Sequence, residues 1–254
     1  MSVHRGMAVL LTLAAATPSI AGFTWSENFD ALPLGPYSSP FWTPLSGTLP
    51  TGVAVTDATS VSAPNSLMFD PSLIGSGTPN YGSVEAGIVF NPNLSFTATQ
   101  WCINLDIRRD AAAIDSYFEV VAYDANGNRQ AVIAIGDEGY GNGPSLINAT
   151  LGSPFAQANS PYTLGEWIHV EWEIQFYGDG TGGQAAAVNG FQFSNLPIGS
   201  FDAPITSFGL VFRDMTGAFS GTTYIDNLSF TAIPAPGAIA LLAMAGLSSR
   251  RRRG

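Results

Sequence analysis

The chain is 254 residues long, 46% hydrophobic and only 11% charged, with 28 glycines and 17 prolines. That balance affords a large core, excludes a disordered or helical-repeat chain, and suits many short strands joined by turns. Away from the ends, four arginines (Arg108, Arg109, Arg129, Arg213) stand against nineteen acids with no lysine, a net charge of −15 that excludes nucleic acid as a partner.

The N-terminus reads MSVHRGMAVLLTLAAATPSIAGF. A short basic start, an apolar stretch of about ten residues, a helix-breaking Pro18 and small residues at Ser19 and Ala21 make a secretory signal peptide over 1–21. Signal peptidase is expected to cut after Ala21. The stretch 22–232 shows no sustained helical period and no composition break, so it reads as one domain. Within WCINLDIRR, Trp101, Ile103, Leu105 and Ile107 alternate with Asn104, Asp106 and Arg108, the pattern of a half-buried strand. Cys102 in this stretch is the only cysteine, so neither an intrachain disulfide nor a cysteine-based zinc site is available, and it reads as a packed, inert thiol. SYFEVVAYDANGNRQAVIAIGD holds two strands around Asp124-Ala-Asn-Gly-Asn, and EWIHVEWEIQFYGDGTGGQAAAVNGFQF holds two more around GDGTGG, with a tight turn at Asn189-Gly190. TSFGLVFRD and TTYIDNLSF supply the late strands. The expected fold is all-β, an antiparallel β-sandwich of the jelly-roll kind, with a helical signal peptide and a C-terminal membrane tail outside it.

The tail, 233–254, opens on Pro234 and Pro236, continues as an apolar run and ends on Arg250, Arg251, Arg252 and Arg253. The prolines bar a helix through them, and from Ile233 the apolar run reaches about 17 residues, near the lower limit for crossing a bilayer. The arginines would then stop it at the cytoplasmic side. A plain membrane anchor that is never processed is one reading. PAPGAIALLAMAGL followed by RRRR also resembles the PEP-CTERM sorting signal of bacterial exported proteins, with Ala235 where Glu is common. The resemblance implies an exosortase-type peptidase as partner, at least transient membrane anchoring, a location in the cell envelope or extracellular matrix, and a host that makes extracellular polysaccharide.

GEWIHVEWEIQF followed by AAAVNGFQF resembles the Trp-x-His strand and Asn-Gly turn of concanavalin A-like and laminin-G-like jelly rolls. SENFDALPLG and YIDNLSF resemble the first and last strands of secreted sandwiches of this class. The resemblance implies the fold, and such folds serve lectins, glycosidases and adhesion modules alike.

Three candidate sites follow. His169, Glu171 and Glu173 alternate along one strand and share a face about 6.6 Å apart, with Trp167 beside them and Ile168, Val170, Trp172 and Ile174 turned inward. This face could hold a sugar, or it could be a solvated face with a cross-strand partner such as Arg213. Two carboxyls about 5–5.5 Å apart would serve a retaining glycosidase, so a polysaccharide-active hydrolase using Glu171 and Glu173 is the alternative function. The Glu-x-Asp-x-Glu order of laminarinase-like enzymes is not met, since His169 stands first and Glu171 takes the middle place. Calcium is the cofactor to consider: Glu27, Asn28 and Asp30 could meet Asp226 and Asn227 if the first and last strands are neighbours, with hydrogen bonding at the strand ends as the plainer reading. Tyr81, Tyr140, Tyr162, Trp167 and Tyr177 lie in turn-rich segments suited to stacking on sugars. Together these observations point to an exported structural or adhesive β-sandwich with polysaccharide as its expected ligand, rather than to an enzyme.

Overall fold

The computed structural model describes residues 22–45, 51–74, 78–80, 83–94, 97–110, 116–136, 146–150, 156–158, 163–177, 181–198, 204–214 and 219–234. The signal peptide, Pro236 and the arginine cluster lie outside the described residues, as do Tyr81, Tyr140 and Tyr162. In chain order the strands are β1 (Phe23–Glu27), β2 (Gly35–Pro36), β3 (Trp42–Pro44), β4 (Val53–Thr56), β5 (Ser66–Phe69) and β6 (Thr78–Asn80). There follow β7 (Ser83–Phe90), β8 (Ala98–Arg109), β9 (Ser116–Asp124), β10 (Arg129–Gly136), β11 (Leu146–Thr150) and β12 (Ala156–Ala158). The last five are β13 (Trp167–Phe176), β14 (Gly182–Val188), β15 (Phe191–Ile198), β16 (Ile205–Asp214) and β17 (Thr223–Pro234). No helix occurs among the described residues.

The strands form two antiparallel sheets, so the all-β sandwich expected from the sequence is the fold. One sheet has nine strands in the order β15-β14-β13-β8-β17-β5-β4-β2, with β1 also on β17. The other has eight in the order β12-β11-β10-β9-β16-β7-β3, with β6 also on β7. First and last strands are neighbours, since Phe23 lies opposite Ala232 and Glu27 opposite Leu228. The last strand runs two residues past the end of the domain read from sequence and takes in Ile233 and Pro234.

Alternation places the core. Trp101, Ile103, Leu105 and Ile107 of β8 and Ile168, Val170, Trp172 and Ile174 of β13 face inward and meet Phe118, Phe208, Leu210 and Phe212 of the opposite sheet. Aromatic rings bridge the sheets: Phe90 stacks on Phe230 at 4.5 Å between centroids and 10° between planes. Trp101 meets Phe208 edge-on at 4.8 Å, and Phe69 meets Phe118 at 5.0 Å. Each such ring contributes about 1.5–3 kcal/mol by leaving water.

The turns follow their residues. Asp124 closes the β9–β10 turn by accepting from the amides of Asn126 and Asn128 at 2.8 Å each. Burial works to raise the Asp124 pKa, but hydrogen bonds from Asn128, Asn126 and Gln130 outweigh it and hold the carboxyl below its ordinary value. Asn189 (φ 48°) and Gly190 (φ 77°) join β14 to β15 with both central residues in the left-handed region, the type I′ geometry that Asn-Gly favours.

Candidate functional site on the outer face of the nine-stranded sheet

Alternation on β13 turns His169, Glu171 and Glu173 outward, as expected from their spacing. Their neighbours on β8 are set by register: Trp167 lies opposite Arg108, His169 opposite Asp106, Glu171 opposite Asn104 and Glu173 opposite Cys102. On the other flank Glu171 and Glu173 lie opposite Ala187 and Ala185 of β14, so small side chains border the acids there.

His169 is held at three points. Its amide donates to Asn189 Oδ1 at 2.8 Å, and its carbonyl accepts from the Asn189 amide at 2.9 Å. The Asn-Gly turn therefore fixes the backbone under the imidazole. The ring Nδ1 donates to Asp106 Oδ1 at 2.8 Å, and Asp106 Oδ2 accepts from Asn227 Nδ2 at 2.7 Å. The ring's other nitrogen faces Glu171, with Nε2 and Oε1 3.6 Å apart. Glu173 instead accepts from Gln100 Nε2 at 2.6 Å. The two glutamates thus serve different partners, one toward His169 and one toward Gln100, and both lie exposed. Burial first, and the charge of Glu173 second, push the Cys102 thiol up, which keeps it protonated and inert.

At the end of this face Trp167 Nε1 and Arg108 Nη1 both donate to Thr59 Oγ1, at 3.2 and 3.0 Å. The Arg108 guanidinium also lies 5.8 Å from the centre of the Tyr224 ring. Trp167, Arg108 and Tyr224 form one row across β13, β8 and β17. Tyr177 stands exposed at the far end of β13.

One expectation is corrected. Arg213 does not partner this face; it lies on β16 of the other sheet, 3.5 Å from Glu119 and 4.0 Å from Glu85. The oxygens considered for calcium are taken up locally. Asp226 is fully buried and accepts from the amides of Val61 and Ser62 at 2.9 Å and from the Asn227 amide at 2.8 Å. Asp30 accepts from the Asn65 amide and Asn28 Nδ2, and Glu27 accepts from the Phe29 amide. Among the described residues no group of three or more His, Cys, Asp or Glu side chains could hold one metal ion. The hydrogen bonds tie down the strand ends, because backbone amides in a turn compete for the same carboxylate oxygens.

A second constellation escaped the sequence reading. On the outer face of the eight-stranded sheet, Arg129 bridges Glu85 and Glu119, and Arg213 stands beside both acids. Glu85 and Glu119 are each only 2% exposed. The Tyr123 ring lies across Gly209, where a Cβ would come within 2.7 Å of it. Burial pushes the Glu119 carboxyl up to about 7 from an ordinary value of 4.5, against the opposing pull of Arg213. A raised acid pKa means that the folded state binds the proton more tightly. The stability Glu119 contributes is therefore complete below about pH 4.5 and is lost as pH rises through about 7. Glu119→Gln should flatten the fall in Tm across that window, read by melts at closely spaced pH. An unchanged slope would mean that another group sets it.

No family model matches the chain, and no curated protein matches it. Solved structures do. A cellulose-induced protein, Cip1, aligns with a TM-score of 0.56 at 15% identity, covering 83% of this chain and 98% of that one. An endo-β-1,4-glucuronan lyase from the fungus Trichoderma reesei aligns at 0.54 and 10% identity, covering 82% and 95%. The alginate lyase Aly36B, in a complex with alginate trisaccharide, aligns at 0.51 and 16% identity, covering 85% and 100%. At these identities the likeness establishes a shared β-sandwich fold.

Proposed function

We propose that this chain is an exported β-sandwich that holds polysaccharide at the cell envelope or in the extracellular matrix without cleaving it. The observation that carries the reading is the continuous polar outer face of the nine-stranded sheet. There His169, Glu171 and Glu173 present donors and acceptors side by side, with Trp167 and Tyr177 at its two ends. Sugars are bound by such mixtures of hydroxyl-matching polar groups and aromatic rings. Polysaccharide-active proteins on the same fold, glucuronan and alginate lyases among them, support the substrate class. The separate partners of Glu171 and Glu173 favour binding over hydrolysis. The reading includes export by the signal peptide ending at Ala21 and sorting by the tail that opens at Pro234, with signal peptidase and an exosortase-type peptidase as processing partners.

The test is retention of the full chain on immobilised cellulose, alginate and glucuronan, with product formation followed in parallel. Retention on at least one glycan with no new sugar ends is the expected result. His169→Ala combined with Glu171→Ala should weaken it about tenfold or more, the loss of one or two hydrogen bonds to charged groups. Failure to be retained on every glycan would end the binding reading, and release of shortened sugars would replace it with an enzymatic one.

A further inference from the structure

We propose that His169 and Glu171 form a binding site for a divalent transition-metal cation of the zinc class. The inference goes beyond glycan binding and does not depend on it. Asp106 and Glu171 approach opposite edges of the same imidazole. A carboxylate oxygen only accepts, so the bond of 2.8 Å to Asp106 Oδ1 places the ring proton on Nδ1. In the neutral ring Nε2 then presents a lone pair toward a second acceptor, Glu171 Oε1, at 3.6 Å. Two acceptors at that separation make no hydrogen bond. They do match the two arms of a metal site. An ion about 2.0–2.2 Å from each ligand, with an angle between tetrahedral and trigonal, sets nitrogen and oxygen about 3.4–3.6 Å apart.

The surroundings are those of an oriented ligand. In metal sites the imidazole commonly donates its other N–H to a carboxylate, which fixes the tautomer and raises the basicity of the ligating nitrogen. Asp106 fills that role; it is 9% exposed and is itself held by Asn227. The Asn189 turn clamps the His169 backbone through both amide and carbonyl. His169 and Glu171 side chains are 43% and 60% exposed, so an ion reaches them from solvent. Imidazole with carboxylate suits zinc, copper or nickel, whereas calcium and magnesium want oxygen ligands throughout. The net charge of −15 on the chain between its two ends draws cations of any kind toward the surface. With Nδ1 committed to Asp106, the protein supplies two ligands and water completes the shell.

The experiment titrates the untagged, metal-free full chain with Zn²⁺ by calorimetry and follows the ring protons of His169 by NMR. One equivalent should bind, shifting the His169 resonances, and Co²⁺ should give the visible absorption of a low-symmetry site. His169→Gln and Glu171→Gln should each abolish the one-equivalent binding, with an unchanged circular dichroism spectrum checking that the fold is kept. Asp106→Asn should weaken it about 10–100-fold. Cys102→Ser should leave it unchanged. The proposal is overturned if Zn²⁺ leaves the His169 resonances unmoved, which would mean an imidazolium resting between two carboxylates. It is equally overturned if His169→Gln binds as wild type does, or if Cys102→Ser removes the binding.

Discussion

Arg129→Met should lower the stability of the folded chain by about 3–5 kcal/mol at pH 7, a fall in Tm of about 10 °C. Arg129 reaches both Glu85 and Glu119, and each acid is almost fully buried. Removing the guanidinium leaves two carboxyls in a medium that cannot solvate their charge. Arg213 offsets part of the loss, but it is 23% exposed and 3.5–4.0 Å from them, so its pull is diluted by water. The penalty should shrink as pH falls toward 4.5, because the stranded acids then take up protons. The triple variant with Glu85→Gln and Glu119→Gln should regain most of the loss. A Tm change under about 3 °C for Arg129→Met would mean that the four groups are not coupled.

Asp226→Ala should cost about 3 kcal/mol or more, measured by denaturant unfolding. The carboxylate is fully buried and accepts from three backbone amides, Val61, Ser62 and Asn227, as well as from Ser62 Oγ. Alanine leaves those donors without an acceptor, whereas Asp226→Asn keeps one oxygen and should lose roughly half as much. The segment fastened by Asp226 carries Thr59, which receives hydrogen bonds from Trp167 and Arg108. Limited proteolysis of the alanine variant should therefore open first near residues 57–64. Cleavage there no faster than in wild type would separate Asp226 from that segment.

The sandwich was legible because β8 and β13 bury one face only. Trp101, Ile103, Leu105 and Ile107 announce themselves when every second residue is polar, and so do Ile168, Val170, Trp172 and Ile174. Strand β9 gives no such signal. Every residue from Ser116 to Asp124 is buried, so the sequence SYFEVVAYD mixes apolar side chains on both faces. Glu119 inside that run, and Glu85 inside SVEAGIVF, are charges set in the middle of largely apolar strands. Such a charge is costly without a partner and could have flagged the arginine network. Alternation on β13 gave the face on which His169 lies, but the partner Asp106 could not be read. The register between β8 and β13 joins residues 63 positions apart, and no local pattern encodes that offset. Proximity of the first and last strands was read correctly, but the amides of the 61–62 segment that donate to Asp226 were not legible, for a related reason: they lie over 160 positions away in the chain.

Strand β17 has a consequence for how the molecule comes into being. It is last in chain order among the described strands, yet it sits in the middle of its sheet, bonded to β8 along one side and to β5 and β1 along the other. A growing polypeptide that has delivered everything up to Ser220 still has an open slot where its central strand belongs. Folding must therefore wait for nearly the whole chain, and pairing of Phe23 with Ala232 closes a loop of over two hundred residues, a slow step by its topology. Until that last strand is delivered the nine-stranded sheet stays split in two, so its completion belongs to the end of synthesis.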